Sequence, residues 1–460
     1  MAKDLQGFIK KVKSLAPEEV VVVKKELDPI FEISAAAACY EKAGQYPMLV
    51  AEDVKGSKMP VVVNVFATYR KLALAFDIDL KENLDRDLLQ RYLAREMNPI
   101  LPKLVSDGPV KEVVMKGAEV DLFQLPIVQH NELDSGRYIS GGCMVCRDPD
   151  SRVINVGIYR HELKGKATLG VMINPVRHAK EIWRRHQERS KTMDVAIVVG
   201  QHPAAVIGAL YRGPLEMSEY NIMGGLLGEP LEVVPAETID LEVPAQAEIV
   251  IEGIIKPGNN GQDGPFGEYL HYYGGVRECY LIDVQAVTMR SKPIYHDLFA
   301  GHMEHGALGP AALPREAIVW RAIKDCCPTL KAVRASQGNC IISIKKRVEG
   351  EGKRVAFAAL SCDEGVKNVI VVDEDIDIYN DKDIFWAMAT RTQADTDVSI
   401  ISHCSGNHLD PTSYDETRIG EGAMSTKLII DATKPVDREF PAKVAVPQKI
   451  VEKISAYLKT

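Results

Sequence analysis

Tyr138-Ile-Ser-Gly-Gly-Cys-Met-Val-Cys-Arg147, then Asp148-Pro-Asp-Ser151, then Arg152-Val-Ile-Asn-Val-Gly-Ile-Tyr-Arg-His161, is the stretch that decides the fold class. Two runs rich in Val, Ile and Tyr flank a cluster of turn formers, which reads as an antiparallel hairpin. The same texture runs from about Lys116 to Ser291, with strands expected at Asp194 to Val199, Leu231 to Val234, Ala247 to Ile255 and Glu278 to Met289. Helices are expected near Pro175 to Glu188 and Ser218 to Leu227. A β-rich unit with inserted helices suits a partly closed barrel better than a doubly wound sheet.

On either side of this unit the pattern mixes helix and strand. Before it, Val20 to Lys24 and Pro60 to Phe66 read as strands, and Ile33 to Ala43 and Leu84 to Met97 as helices, the last ended by Asn98-Pro99. After it, Pro314 to Cys326 and Asp383 to Thr390 read as helices, Asn339 to Lys346 and Asn368 to Asp373 as strands, and Pro447 to Leu458 as a closing helix. The expected organisation is an α+β segment over 1–115, a β-barrel unit over 116–307 and an α/β unit over 308–460. The fold class is therefore α/β (α+β) around a central barrel.

Composition narrows the function. A formal net charge of −8 argues against general nucleic-acid or anionic-membrane binding. No apolar run approaches the roughly eighteen residues of a membrane span, and the chain's start lacks a signal-peptide core. With 46% hydrophobic and 26% charged residues, the balance fits a cytoplasmic enzyme. Nine scattered cysteines read as reduced thiols, and Cys143 and Cys146, three apart on a strand, point to opposite faces and do not make a metal pair.

The chemistry concentrates in two segments. In Asp263-Gly-Pro-Phe-Gly-Glu268, proline and glycine force a reversal that can bring two carboxylates together. Two close carboxylates ionise together only with a cation between them. Arg160 is the candidate, because guanidinium stays charged and offers a planar fork. A regular strand would send Asn155 and Arg160, five apart, to opposite faces. Either Gly157 hosts a bulge or Arg160 lies beyond the strand end.

A second group is looser. Asn174-Pro175-Val176-Arg177-His178 reads as a helix start with Asn174 as N-cap, placing His178 in the first turn, where the dipole disfavours a charged imidazole. Glu219 follows Ser218 at the start of another helix. It reads either as a glutamate complementing that dipole or, with Asn155 and His178, as an oxygen ligand suited to Mn²⁺ or Mg²⁺. His296, His302 and His305 fall in a stretch that its glycines mark as a loop, and His296 is a candidate substrate contact.

Asn155, Arg160, His178, Glu219, Asp263 and Glu268, in that order, resemble the UbiD family of prenylated-flavin-dependent decarboxylases. Asn368-Val-Ile-Val-Val-Asp-Glu-Asp-Ile-Asp-Ile-Tyr379, Ile384-Phe-Trp-Ala-Met-Ala-Thr-Arg391 and Leu428-Ile-Ile-Asp-Ala-Thr433 are similar to it as well. The resemblance implies a split-barrel flavin domain between two α/β segments, the C-terminal one serving oligomerisation, in a homodimer or a dimer-based hexamer. It implies prenylated FMN bound along Asn155, Val156, Gly157, Ile158, Tyr159 and Arg160, with Arg177 and Lys367 nearby. The cofactor phosphate would be held through Mn²⁺ by Asn155, His178 and Glu219, with K⁺ beside it and a flavin prenyltransferase as supplier.

By the same resemblance, Arg160, Asp263 and Glu268 form a catalytic triad. Many members carry glutamate where this chain has Asp263. CO₂ is lost reversibly through a covalent adduct with the flavin, which serves as electron sink, and Glu268 returns the proton. The branch it looks closest to acts on heteroaromatic acids, furan-2,5-dicarboxylate first, with His296, Arg177 and His302 as candidates for the second carboxylate. Hydroxybenzoate-type decarboxylation is the nearest competitor, and a flavin reductase-like module using ordinary FMN is the alternative of another class.

Overall fold

The computed structural model describes residues 2–80, 84–174, 177–300, 312–413 and 423–458. Its centre is a nine-stranded sheet. In order run Tyr138–Ile139, His161–Gly165, Thr168–Val171, Arg277–Met289, Ile249–Asp263, Met193–Val199, Cys143–Arg147 and Ile154–Ile158, with Val113–Lys116 pairing the far end of Arg277–Met289. Every pair in it is antiparallel.

The topology explains why this sheet curls. Ile154–Ile158 is one edge, and the chain re-enters beside the other edge at His161. Only Tyr159 and Arg160 span the gap, and two residues reach no more than about 10 Å. The two edges must therefore approach each other, which makes a split barrel with Arg160 in the split.

The expected hairpin forms, with Cys143 opposite Ile158 and Arg147 opposite Ile154 in unbroken register. It is shorter than expected at both ends. Ser140-Gly-Gly142 interrupts the first run, and at Gly142 a Cβ would meet Ile197 Cγ2 at 2.6 Å. The second run stops at Ile158, so no bulge at Gly157 is needed and Arg160 lies past the strand end. Cys143 and Cys146 are buried and free, and face different hydrophobic clusters.

The strand expected to end at Ile255 instead continues to Asp263. Pro257 and Gly258 are absorbed in an irregularity between Ile255 and Asn260. Gly258 takes the positive φ of 78°. Asp263 thereby becomes the last strand residue, opposite Arg277.

The flanking segments bear out the mixed α/β class. A four-stranded sheet orders Val20–Val23, Met48–Ala51, Val61–Val63 and Tyr295–His296. A five-stranded sheet orders Leu330–Ser336, Asn339–Ile344, Asn368–Asp373, Ala423–Ala432 and Val398–Gly406, with three parallel strands at its centre. Ala312–Lys324 and Glu351–Cys362 pack with it. The latter helix and the Val398–Gly406 strand had no sequence expectation. No helix among the described residues is long and apolar enough to cross a membrane.

Candidate active site

Arg160, Asp263 and Glu268 meet. Asp263 ends its strand with no exposed surface, and Gly264 turns away with φ of 90°, where a side chain would press on Gly275 O at 2.9 Å. Phe266–Gly267 pairs with Tyr273–Gly274 in a small hairpin, and Glu268 follows it, 8% exposed. The Arg160 guanidinium donates from Nε to Asp263 Oδ2 at 2.9 Å and from Nη2 to the same oxygen, while Nη1 pairs with Glu268 Oε1. Phe266 lies under it, its ring centroid 5.1 Å from Cζ. Asp263 Oδ1 has no hydrogen-bond partner among the described residues. The shorter acid reaches Arg160 fully; one methylene less does not break the cluster.

Several contacts brace the turn. Asp134 accepts from Gly267 N at 2.8 Å and Asn131 N at 2.8 Å, and Tyr138 accepts from Gly264 N at 3.1 Å while donating to Glu162 at 3.0 Å.

Arg160, Glu268 and Phe266 border a cavity of about 190 Å³, with Ile158, Tyr159, Met172 and Leu298 on its apolar side. A second cavity of about 420 Å³ is lined by Asn155, Val156, Gly157, His178 and Glu219. The two share Ile158, Tyr159, Arg177, Leu210, Arg212, Asp363 and Glu364, so they adjoin along one wall. The acid cluster therefore sits at one end of a two-chambered space and the Asn155–His178–Glu219 group at the other.

In that second group Glu219 opens the Glu219–Leu227 helix behind the Ser218 cap and is 3% exposed. It accepts from Asn155 Nδ2 at 3.0 Å and Val156 N at 2.8 Å. Burial pushes its carboxyl up to about 8. His178 is kept neutral, by burial first and the Arg177 charge second. It is the first residue of the His178–Glu188 helix, and Arg177 rather than Asn174 occupies the N-cap position, making no side-chain cap. Pro175 lies outside the described residues. Asn174 is engaged elsewhere, 3.2 Å from His408 Nδ1.

His296 corrects the loop expectation. It lies on a strand paired with Val62, has no exposed surface and tilts against Phe66 at 5.6 Å between ring centroids. It does not line either cavity. Burial lowers its pKa to about 4, so it is neutral and cannot be the cation of an anion site. Neither ring nitrogen has a partner among the described residues. His302 and His305 lie outside the described residues. Lys367 pairs with Asp410 at 2.6 Å in an adjoining cavity of about 210 Å³.

Sequence reasoning missed the C-terminal wall. Arg315 donates to Asp363 Oδ2 at 2.8 Å and Arg212 approaches Oδ1 at 2.9 Å. Burial pushes the Asp363 carboxyl up, but these two guanidinium groups outweigh it and hold it near 2. Asn407 and His408 complete this wall. Nothing local marks them, since they come from a helix and separate loops that only the tertiary fold assembles; Cys-Asp-Glu-Gly365, a turn signal after a helix, is the nearest clue.

Comparison with known proteins agrees with this architecture. The chain matches the UbiD 3-octaprenyl-4-hydroxybenzoate carboxy-lyase domains: the N-terminal domain over 15–91, the Rift-related domain over 103–303 and the C-terminal domain over 310–432. It is 32% identical to an anhydromevalonate phosphate decarboxylase of Methanothermobacter thermautotrophicus over 94% of this chain and 97% of that one. Among solved structures, the UbiD-class enzyme HmfF of Pelotomaculum thermopropionicum in complex with FMN superposes with a TM-score of 0.89 at 36% identity, covering 99% of this chain and 100% of that one. An evolved dimeric form of that enzyme was solved with prFMN. Vanillic acid decarboxylase of Sedimentibacter hydroxybenzoicus superposes with a TM-score of 0.86 at 31% identity, covering 100% of both chains.

Proposed function

The chain belongs to the UbiD family of carboxy-lyases, and from that membership we propose that it removes CO₂ reversibly from a heteroaromatic carboxylic acid, with prenylated FMN as cofactor and furan-2,5-dicarboxylate as the first substrate to test. The observation that carries this reading is one arginine held between two buried carboxylates, at the end of a two-chambered space whose far end bears an imidazole, an amide and a carboxylate. A flavin reductase-like module needs no such acid pair, and family membership over most of the chain sets that alternative aside.

The residues fit the cofactor. Glu219 is a buried acid without a cationic partner in the contacts described, and a divalent ion there compensates its charge; two oxygen donors and one neutral imidazole suit Mn²⁺. Asn155, His178 and Glu219 would hold that ion, and Arg177 and Arg212, which line the same cavity, would supply positive charge for the cofactor's phosphate. When bound, the prenylated flavin supplies an electron sink for the carbon that loses CO₂.

The chain's own residues do the rest. The apolar side formed by Phe266, Leu298 and Met172 accepts the ring and excludes water. Arg160 gives Nε and Nη2 to Asp263 and Nη1 to Glu268, so a substrate carboxylate that reaches the guanidinium does so beside Glu268 and competes with it for Nη1. Three carboxylates at one guanidinium cannot all ionise easily. Glu268 takes a proton from solvent as the substrate arrives and gives it to the ring carbon that has lost CO₂, so that one proton taken up replaces the CO₂ released. Asp263 keeps Nε and Nη2 throughout and so fixes the guanidinium plane. Arg177, Arg212 and Arg315 face Asp363 and Glu364 on the same cavity, an arginine-rich wall suited to a second anionic group.

The test is co-expression with a flavin prenyltransferase, followed by CO₂ release from furan, pyrrole and hydroxybenzoic acids. No CO₂ from any acid by flavin-loaded protein sinks the reading; release only from hydroxybenzoates moves it to that branch. Within it, His296→Asn is expected to leave KM nearly unchanged for a dicarboxylate and a monocarboxylate alike, because the buried ring lines neither cavity. A rise in KM confined to the dicarboxylate would return His296 to substrate binding.

The metal has its own readout. At a hundred times its dissociation constant, Mn²⁺ should stabilise by about 2.7 kcal/mol and raise Tm by a few degrees, independently of turnover. Glu219→Gln should abolish that increment. An increment that survives the substitution would place the ion elsewhere. The exposed apolar residues Ile450, Ile454 and Leu458 of the terminal helix support a homo-oligomer.

A further inference from the structure

The residue after the proton donor has partners that the catalytic reading does not use. Tyr269 lies between the paired strands Phe266–Gly267 and Tyr273–Gly274, in the reversal that carries Glu268. Its phenol oxygen accepts from Asn407 Nδ2, at the end of the Val398–Gly406 strand, and from the Arg315 guanidinium on the Ala312–Lys324 helix. Arg315 is itself fixed, at 2.8 Å from the wholly buried Asp363 carboxylate. A second tie lies two residues on, where His271 Nε2 is 3.2 Å from Gln337 Nε2. His271 holds a left-handed φ of 64°, a conformation costly for a side-chain-bearing residue unless its surroundings enforce it.

The reversal itself is tight. Glu268 N donates to Tyr272 O at 2.9 Å, and His271 N to Glu268 O at 2.9 Å. A displacement at the tip is therefore passed to Glu268 within one peptide unit. The base of the hairpin is anchored in the barrel through Asp134 and Tyr138, while the tip is anchored in the C-terminal α/β unit. Tyr269 also borders both the catalytic cavity and the adjoining Lys367 cavity, so its ring forms part of the partition between them.

We infer that Tyr269 is a positioning residue: held by Asn407 and Arg315, it sets where the Glu268 carboxylate stands over the cavity, so that the proton donor is in register only while the C-terminal unit grips the hairpin tip. This rests on the decarboxylase reading of the site. It requires no contact between Tyr269 and the substrate. An acid moved by about 1 Å loses much of its effectiveness, because proton delivery depends on the near-attack geometry.

Tyr269→Phe keeps the ring and removes the oxygen; Asn407→Ala removes the opposing donor. Each should lower kcat about tenfold with KM and flavin absorbance unchanged, and the double variant should lose no more than Tyr269→Phe alone, since that change already removes the Asn407 contact. Independently of turnover, amide hydrogen exchange over residues 266–274 should quicken in both variants. Unchanged exchange with unchanged kcat overturns the inference. Faster exchange with unchanged kcat overturns it too, as would slower turnover without faster exchange, which would make Tyr269 a substrate contact. Should the wild-type protein release no CO₂ from any acid, the decarboxylase reading falls while exchange alone still decides whether the tip is gripped.

Discussion

Glu268→Gln is expected to lower the rate of CO₂ release by roughly 10³-fold while leaving flavin bound, since general acid catalysis is commonly worth 10² to 10⁴. The substitution is nearly isosteric and keeps an oxygen that can accept from Arg160 Nη1. What it removes is the transferable proton. Glu268 is 8% exposed beside an arginine, and the other acid on that arginine, Asp263, is committed to Nε and Nη2. Bulk water is a poor substitute at a site that excludes it. The measurement is single-turnover CO₂ release against flavin absorbance in the same sample. Near-normal release by Glu268→Gln would sink the assignment and return the proton to an unidentified donor. Loss of both flavin and turnover would instead show a folding defect, which Glu268→Asp, shorter but still acidic, would separate by keeping the flavin with partial activity.

The legible parts of this site were those whose chemistry is written locally. Gly264 and Pro265 announce a reversal, and flanking acids follow from it; the reversal is there, although Asp263 proved to be the end of a strand. Ser218 announces a helix start, and Glu219 sits in that first turn. The parity of Asn155 and Arg160 correctly demanded a break, and the strand ends between them. The barrel's closure was less legible, because it depends on which strands lie at the edges, and only then does the two-residue link through Tyr159 become a constraint.

Failures in the reading have the opposite character. Glycines near His296 suggested a loop, yet pairing with Val62, more than two hundred residues earlier, overrides the local signal. Pro175 suggested a helix start four residues after a strand, and the helix begins at His178. Arg315, Asp363 and Asn407 look like ordinary surface residues in sequence and meet only because three C-terminal elements converge on the barrel mouth. Long-range pairing and convergence leave no periodic trace.

Arg160→Met should be the most damaging single change to the site's integrity. Asp263 is wholly buried, and one of its oxygens has no partner among the described residues. Its other oxygen takes both Nε and Nη2 of Arg160, so removing the guanidinium strands a buried charge, at a cost of about 3–5 kcal/mol. The packing over Phe266 goes with it. Arg160→Lys tests the fork apart from the charge: one ammonium can serve Asp263 or Glu268 but not hold both in one plane, so stability should largely return while turnover stays low. Urea-unfolding midpoints of the three proteins decide this, together with Arg160→Met/Asp263→Asn, where the stranded charge is neutralised. That double variant should recover much of the loss. If Arg160→Met unfolds at the wild-type midpoint, the acid–arginine–acid cluster is not a coupled charge system, and the division of labour between Asp263 and Glu268 falls with it.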